Sequence, residues 1–428
     1  MTANVRVNRQ RSARALMNDE AIRQAAIDEI IRVGVDRLSL REVGIAAGLT
    51  HGATYARYED VEEMLVDLWI SKLRERLVSL IELSMNAAES PDAQSIGALF
   101  ERLRVADNSD LAALEVFLLA RRIPPLLEEC ESFIAAYLEP DGGTSEQSRA
   151  IFTRTVVLFG MALSRLYSEA MFGHDNGYQN AVEKLMVDVL SSSPLTSRAA
   201  DASSLSSVQT LETDVRITLP SDDTLKMELS RSTYAVIGKS GYVRATISRI
   251  ARRANCSPAA IYKAHKSKED LVIRSFVDMV GERWMNLNDM ASLLEDGYLT
   301  QLLRSEASDL YAPRRNFIME MAFASVHHPA IRTAVVNQIV KTEVIVPNLI
   351  ELEGEPKDRL RYTIRTITSL VVGVGWVATI AKTTKDLDFT QFAQPLQESL
   401  REHWQPDWAD ISQEIRRRSH KRSKTSLG

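Results

Sequence analysis

Two cysteines in 428 residues are too few for a disulfide framework. Cys130 and Cys256 lie far apart, with no histidine at zinc-ligand spacing, so no metal site is implied either and both read as small buried residues. Long apolar runs are also scarce. The longest, Ser369–Ala381, falls short of the roughly 20 residues that span a bilayer and holds two glycines, which predicts a buried packing helix and no membrane span. The amino terminus, with Arg6, Arg9, Arg11 and Arg14, runs into polar residues and carries no apolar core with a cleavage site, so a cytoplasmic protein is expected. Positive charge is not in surplus: the net charge is −5. Such a chain does not coat nucleic acid as a polycation, and any nucleic-acid contact must be local. Alternating strand patterns are rare.

What remains is helix. With 45% hydrophobic and 25% charged residues the composition is globular, and at about 150 residues per domain the length suits about three units or a duplicated pair. Apolar residues recur at three- and four-residue spacing over Glu20–Val33, Val61–Ser84, Leu111–Arg122, Ser145–Phe172 and Asn180–Leu190. From Ser191 to Asp222 the pattern breaks into a serine-rich stretch around Pro194, read as a linker. Periodicity resumes after Asp223 and lasts to about Trp408. Arg416, Arg417, Arg418, Lys421, Arg422 and Lys424 then form a basic tail, expected to be disordered.

The halves on either side of the linker superpose at an offset of 207 residues. Ile22, Ala26, Ile30, Gly34, Leu40, Val43, Ala47, Leu49 and Tyr55 recur as Leu229, Thr233, Ile237, Gly241, Ile247, Ile250, Ala254, Cys256 and Tyr262. Identities are few, but the physical pattern repeats without a gap. Each copy describes a helix ending at glycine, a short helix, a tight turn and a second short helix, which is a helix-turn-helix unit. In the first copy Leu40–Ala46 is the first short helix, Ala47-Gly48-Leu49 the turn, and His51–Tyr58 the second helix behind an N-cap at Thr50. Gly48 allows the left-handed conformation of a sharp helix end. The second copy has Asn255 there, the residue that next best tolerates positive φ, followed by Ser257 as N-cap and Pro258 at the first helical position. Asp60-Val61-Glu62-Glu63 and Ser267-Lys268-Glu269-Asp270 open the next helix in each copy with a cap and an acid three residues later.

On these residues both copies resemble the amino-terminal DNA-binding domain of the TetR family of bacterial transcriptional repressors. The motifs are Leu38-Ser39-Leu40-Arg41-Glu42-Val43, Ala47-Gly48-Leu49-Thr50 and Tyr55-Ala56-Arg57-Tyr58. Their counterparts are Ala245-Thr246-Ile247-Ser248-Arg249-Ile250, Ala254-Asn255-Cys256-Ser257 and Tyr262-Lys263-Ala264-His265 with Lys268-Glu269-Asp270-Leu271. The resemblance is specific over about fifty residues per half and architectural elsewhere. It implies an all-α protein of two tandem TetR-like units, each a DNA-binding head plus a helical regulatory domain, packed as an intramolecular pseudo-dimer. Two departures stand out: Val61 replaces a lysine that the family usually places near a phosphate, and His265 replaces an aromatic core residue.

The resemblance implies a double-stranded DNA operator as partner, met by Ser39, Arg41, Thr50, His51, Tyr55 and Arg57 in the first head and by Thr246, Ser248, Ser257, Tyr262, Lys263 and Lys268 in the second. A short helix presents its amino-terminal side chains to base edges in the major groove. Thr50 and Ser257 serve as caps whether or not they touch DNA, Arg57 or Lys263 alone is more often a solvated charge, and Tyr55 and Tyr262 have packing against the preceding helix as their alternative. Arg9, Arg11 and Arg14 are of the kind that reaches an adjacent groove as an arm, with a disordered basic terminus as the commoner reading. The expected organisation is a first head over 1–70, a regulatory domain over 71–193, a linker over 194–222, a second head over 223–282, a second regulatory domain over 283–410 and a tail over 411–428. Leu99, Phe100, Leu103, Leu114, Leu118, Phe133 and Tyr137 with Phe117 and Phe152, and Phe317, Met321 and His327 with Phe323 and Trp376, are candidates to surround a cavity for a small apolar effector, with ordinary core as the first reading of any one of them. Phe117, Phe152, Phe323 and Trp376 are the ligand contacts expected of it. Gly160 and Gly373, each amid apolar neighbours, allow close helix approach and fit the family's dimerisation helix.

No cofactor, metal or catalytic constellation is expected. Gly238-Lys239-Ser240 has Thr233 in place of the first glycine of a phosphate-binding loop and no strand before it. His327-His328 lacks partners at metal spacing, and neither a G-x-S-x-G elbow nor an H-E-x-x-H helix occurs. The rival to a DNA-binding regulator is a helical scaffold that keeps the helix-turn-helix fold for protein contacts.

Overall fold

A computed structural model describes residues 13–138, 146–173, 175–192, 224–283, 295, 297–349, 351–404 and 409–417; the expected linker, and Arg6, Arg9 and Arg11 of the arm, lie outside them, as does the side chain of Arg14. Among the described residues there is no strand.

The first half opens with α1 (Ala13–Val33), a 3-10 turn at Val35–Arg37, α2 (Leu40–Ala46), α3 (His51–Tyr55) and α4 (Val61–Leu68). A π-turn over Trp69–Leu73 carries α4 into α5 (Arg74–Glu89), so the helix expected to run unbroken from Val61 contains an extra residue in its turn, with Trp69 fully buried. Next come α6 (Ala93–Arg104), α7 (Asn108–Leu119) with a 3-10 extension through Arg122, α8 (Pro124–Leu138), α9 (Glu146–Phe172) and α10 (Asn176–Ser192). Asp107 caps α7 in a complete capping box with Asp110, which is why that helix begins earlier than Leu111. The second half has α11 (Thr224–Ser240), α12 (Ile247–Arg253), α13 (Pro258–Ala264), α14 (Lys268–Arg283), α15 (Tyr298–Ala307), α16 (Ala312–His327), α17 (Pro329–Leu349), α18 (Gly354–Ile380) and α19 (Thr390–Trp404).

Further boundaries differ from expectation. α3 stops at Tyr55 because Tyr58 turns into the core, where its hydroxyl donates to Asp67 at 2.5 Å. Ser191 and Ser192 still belong to α10, with Ser191 Oγ donating to the Pro91 carbonyl at 2.8 Å. The expected basic tail is helical as far as residue 417, since Ile411 and Ile415, one helical turn apart, are buried and Arg416 pairs with Glu295.

α9 and α18, each of 27 residues, cross back to back. A Cβ on Gly160 would lie 2.5 Å from the carbonyl carbon of Gly373, and one on Gly373 would lie 2.2 Å from that of Gly160. Only glycine at both positions lets the backbones meet. Gln147–Phe172 and Gly354–Ile380 are each long and apolar enough to cross a membrane by length and composition, but 89% and 67% of their most apolar windows are buried inside the fold. Helical length here comes from core packing: Val156, Leu163, Leu370, Val374 and Val377 are all buried, and burying such a side chain contributes about 1.5–3 kcal/mol.

Nearer the heads the two halves meet in similar ways. Gly34, which ends α1, faces the His327 ring, while Gly241, which ends α11, faces the Arg122 guanidinium. Glu115 on α7 accepts from Val35 N at 2.7 Å and meets His327 Nε2 at 3.1 Å. Arg122 reaches Asp36 at 3.1 Å, the Ser240 carbonyl at 2.9 Å and Glu320 at 3.4 Å.

Candidate nucleic-acid interface

The turn residues that define a helix-turn-helix recur with their hydrogen bonds at the same 207-residue offset. Gly34 and Gly241 both have φ 82°, and their N–H groups bond Ile30 and Ile237 at 2.8 Å. Ser39 Oγ caps α2 by accepting from Glu42 N at 3.2 Å, and Thr246 Oγ1 caps α12 by accepting from Arg249 N at 3.3 Å. Gly48 and Asn255 take φ 67° and 51°, the left-handed region in which an Asn is tolerated and other side chains are strained. After the turn, Leu49 N bonds Gly44 O at 2.9 Å and Cys256 N bonds Ala251 O at 3.0 Å. Asp60 accepts from Glu63 N at 2.8 Å while Glu63 accepts from Glu59 N at 2.7 Å; Ser267 accepts from Asp270 N at 3.1 Å while Asp270 accepts from Lys266 N at 3.0 Å.

The α3 and α13 caps are not equal. Ser257 Oγ accepts from Ala260 N at 3.2 Å. Thr50 occupies the N-cap position but makes no side-chain cap bond, so its expected role as a cap is corrected; its side chain is exposed. His51 is the first residue of α3, and its side chain lies outside the described ones. Tyr55 and Tyr262 are 47% and 58% exposed, so about half of each side chain is open to solvent and the rest is covered by the head. Arg41, Thr246, Ser248, Ser257 and Lys263 are exposed and Ser39 half-buried on the same two motifs.

Two expected contacts have other partners. Arg57 Nε pairs with Asp19 at 3.1 Å, its Nη2 lies 3.6 Å from Asp67, and its guanidinium covers the Tyr58 ring at 4.9 Å. Asp67 also takes a bidentate bond from Arg23 at 3.0 and 3.1 Å. Burial works to raise the Asp67 carboxyl, but the bonds from Arg23 and Tyr58 and the nearby cations outweigh it and hold the group below the usual carboxylate range. Arg57 therefore fastens the end of the recognition segment to α1 and α4. Lys268 Nζ donates to the Tyr242 carbonyl at 2.6 Å and sits 4.2 Å over the Tyr242 ring. Burial, with Arg37 nearby, lowers its pKa. It ties α14 to the turn after α11.

Residues 231–274 match the family described as bacterial regulatory proteins, tetR family. The match supports a DNA-binding transcription regulator of the TetR type. It covers α12, the turn and α13 in full, the segment whose caps and turn bonds are set out above. No curated protein matches the chain.

The expected effector residues separate. Phe117 stacks on Trp69 at 5.7 Å and meets Phe133 edge-on at 6.3 Å, so it belongs to a filled core; Phe152 packs at the margin of that core. Trp376 instead lines a cleft of about 80 Å³ between the halves, with Tyr167 and Phe172 of α9, Phe276 of α14, and Ile318 and Ile339 of α16 and α17. Phe323 stacks behind Trp376 at 6.4 Å. Ser369 Oγ, on the cleft wall, is buried without a hydrogen-bond partner. A larger open groove of about 950 Å³ between α10, α18 and α19 is lined both by charged residues, among them Lys184, Asp188 and Glu398, and by apolar ones, among them Leu185, Val187 and Leu400.

Sequence reading missed Arg249, Arg252, Arg253 and Lys266, all exposed around the second turn. A position-by-position comparison of the copies at offset 207 is the signal that finds them.

Proposed function

We propose that the chain is a TetR-type transcriptional repressor in which one polypeptide supplies two heads, joined through α9 and α18 as an intramolecular pseudo-dimer, and in which an apolar effector releases the DNA. The observation that carries the reading is the recurrence, at one fixed offset in both halves, of the caps on α2 and α12 and on α4 and α14, the left-handed turn and the turn hydrogen bonds. The paired approaches of Gly34 to His327 and of Gly241 to Arg122 support a pseudo-twofold arrangement, since a twofold interface puts the same two positions against each other in both directions. Because α3 and α13 differ in sequence, Thr50-His51-Gly52-Ala53-Thr54 against Ser257-Pro258-Ala259-Ala260-Ile261, one chain would read two unlike half-sites.

The cleft beside Trp376 is the proposed effector site. Ligand pockets for drug-sized molecules measure about 300–1,000 Å³, well above this cleft, so a ligand would have to part α9 from α16 and α18. α16 ends at His327, against Gly34 of the first head, and moving it would shift one head relative to the other. Coupling of this kind is reciprocal: the effector must bind more weakly when DNA is bound. The test is genomic footprinting with the purified chain followed by titration of apolar compounds. Footprints that compounds abolish support the reading; binding of DNA that no compound alters would leave a constitutive regulator.

A further inference from the structure

Over equivalent windows the two heads carry opposite charge. Residues 39–60 hold Arg41 and Arg57 against Glu42, Glu59 and Asp60, a net of −1, whereas residues 246–267 hold Arg249, Arg252, Arg253, Lys263 and Lys266 with no acid, a net of +5. The difference is sharper position by position. Where the second head has Arg249, Arg252, Arg253, Lys263 and Lys266, the first has Glu42, Ile45, Ala46, Ala56 and Glu59. All ten side chains are exposed, Ile45 by 59%, so the contrast lies on the surface. Among the described residues no carboxylate pairs with Arg252, Arg253, Lys263 or Lys266. In the first head Arg57 is held by Asp19 and Asp67.

We propose that the second head is the electrostatic anchor of the protein on DNA, with Arg249, Arg252, Arg253, Lys263 and Lys266 neutralising phosphates, and that the folded face of the first head meets its half-site without them. This rests on the DNA-binding reading above. Phosphate neutralisation sets affinity and salt dependence, while base contacts set sequence preference. An anchor head and a reading head on one chain therefore separate the two properties: the second half holds the duplex, and the exposed Tyr55, Thr50 and Ile45 of the first act at short range within a complex already formed.

The test measures binding of the full chain to a random-sequence duplex, long enough to cover both heads, as a function of salt. Every phosphate that a variant no longer neutralises makes the slope of log affinity against log salt shallower by about 0.9. The triple variant Arg252→Ala/Arg253→Ala/Lys263→Ala, which alters only exposed side chains, should therefore have a slope shallower by about 2.7 with unchanged helical content. The reciprocal graft Ile45→Arg/Ala46→Arg/Ala56→Lys should steepen it by a similar amount, since it gives the first head the charges it lacks. A triple variant with the wild-type slope overturns the anchor, and a graft that leaves the slope unchanged overturns the placing of the first head on the duplex. Either result leaves DNA binding itself standing. An unaltered chain that binds no duplex at low salt removes the DNA-binding reading instead.

Discussion

Arg122, at the end of the 3-10 turn that follows α7, donates from Nη1 to the carbonyl of Ser240 at 2.9 Å, so a side chain of the first half holds the last turn of the helix that leads to the second head. The same guanidinium pairs with Asp36 beneath the first head and with Glu320 on α16. One cation thus touches both heads and the helix that lines the cleft.

Arg122→Ala should destabilise the folded chain by about 3–5 kcal/mol, the usual consequence of removing one partner from a buried ion pair. Glu320 is buried and the Arg122 side chain is only 9% exposed, and the loss leaves the Ser240 carbonyl without this donor and Asp36 with Arg244 alone, at 4.0 Å. Urea unfolding measures it as a lower midpoint with an unchanged m value.

Glu320 gives a pH dependence. Burial pushes its carboxyl up to about 7, against the opposing pull of Arg122 and Arg121. From the ordinary value near 4.5 up to about 7 the folded chain keeps a proton that the unfolded chain has lost, so this group's contribution to stability falls as pH rises through that window and is level above it. Glu320→Gln removes the slope. Melting temperatures at pH 5 and pH 8 should show the variant gaining on the wild type as pH rises; parallel curves contradict the assignment.

Gly160→Ala and Gly373→Ala should each destabilise the chain. Overpacking costs about 1–3 kcal/mol, and here the obstacle is backbone at 2.2–2.9 Å, which cannot rotate away. Alanine returns about 1 kcal/mol of helix propensity, so the net loss is modest, and calorimetry should show a lower Tm for each.

Much of the fold was legible because turns announce themselves in single residues. Gly48, Asn255, Ser257 with Pro258, and the acids of Asp60–Glu63 mark helix ends through backbone conformation and capping, which are local. Gly160 and Gly373 were legible as close-approach positions. What the sequence withheld depended on residues distant along the chain. Arg57 looked like a free recognition charge because Asp19 and Asp67 approach it only through tertiary packing. Phe117 looked like a cavity wall because an aromatic that lines a pocket and one that fills a core have the same helical spacing; its stacking on Trp69 decides between them. Lys268 reads from the motif as a DNA contact, and its bond to the Tyr242 carbonyl needs the turn after α11 in place.

Arg57→Ala and Lys263→Ala should therefore have opposite effects. Arg57→Ala loses its partly exposed ion pairs and should cost about 1 kcal/mol of stability, with little change in affinity for duplex DNA. Lys263→Ala should leave stability within about 0.5 kcal/mol and weaken DNA binding. Thermal melts and anisotropy titrations on the same preparations separate the two.

The central claim is that one chain carries two working heads as a pseudo-dimer, and the measurement that tests it most directly is the stoichiometry of the protein on its operator. Light scattering of the complex, combined with footprinting, should find one chain protecting two unlike half-sites about one helical turn apart, about 10 base pairs centre to centre. Two chains on a symmetric operator, each contributing a single head, would contradict it.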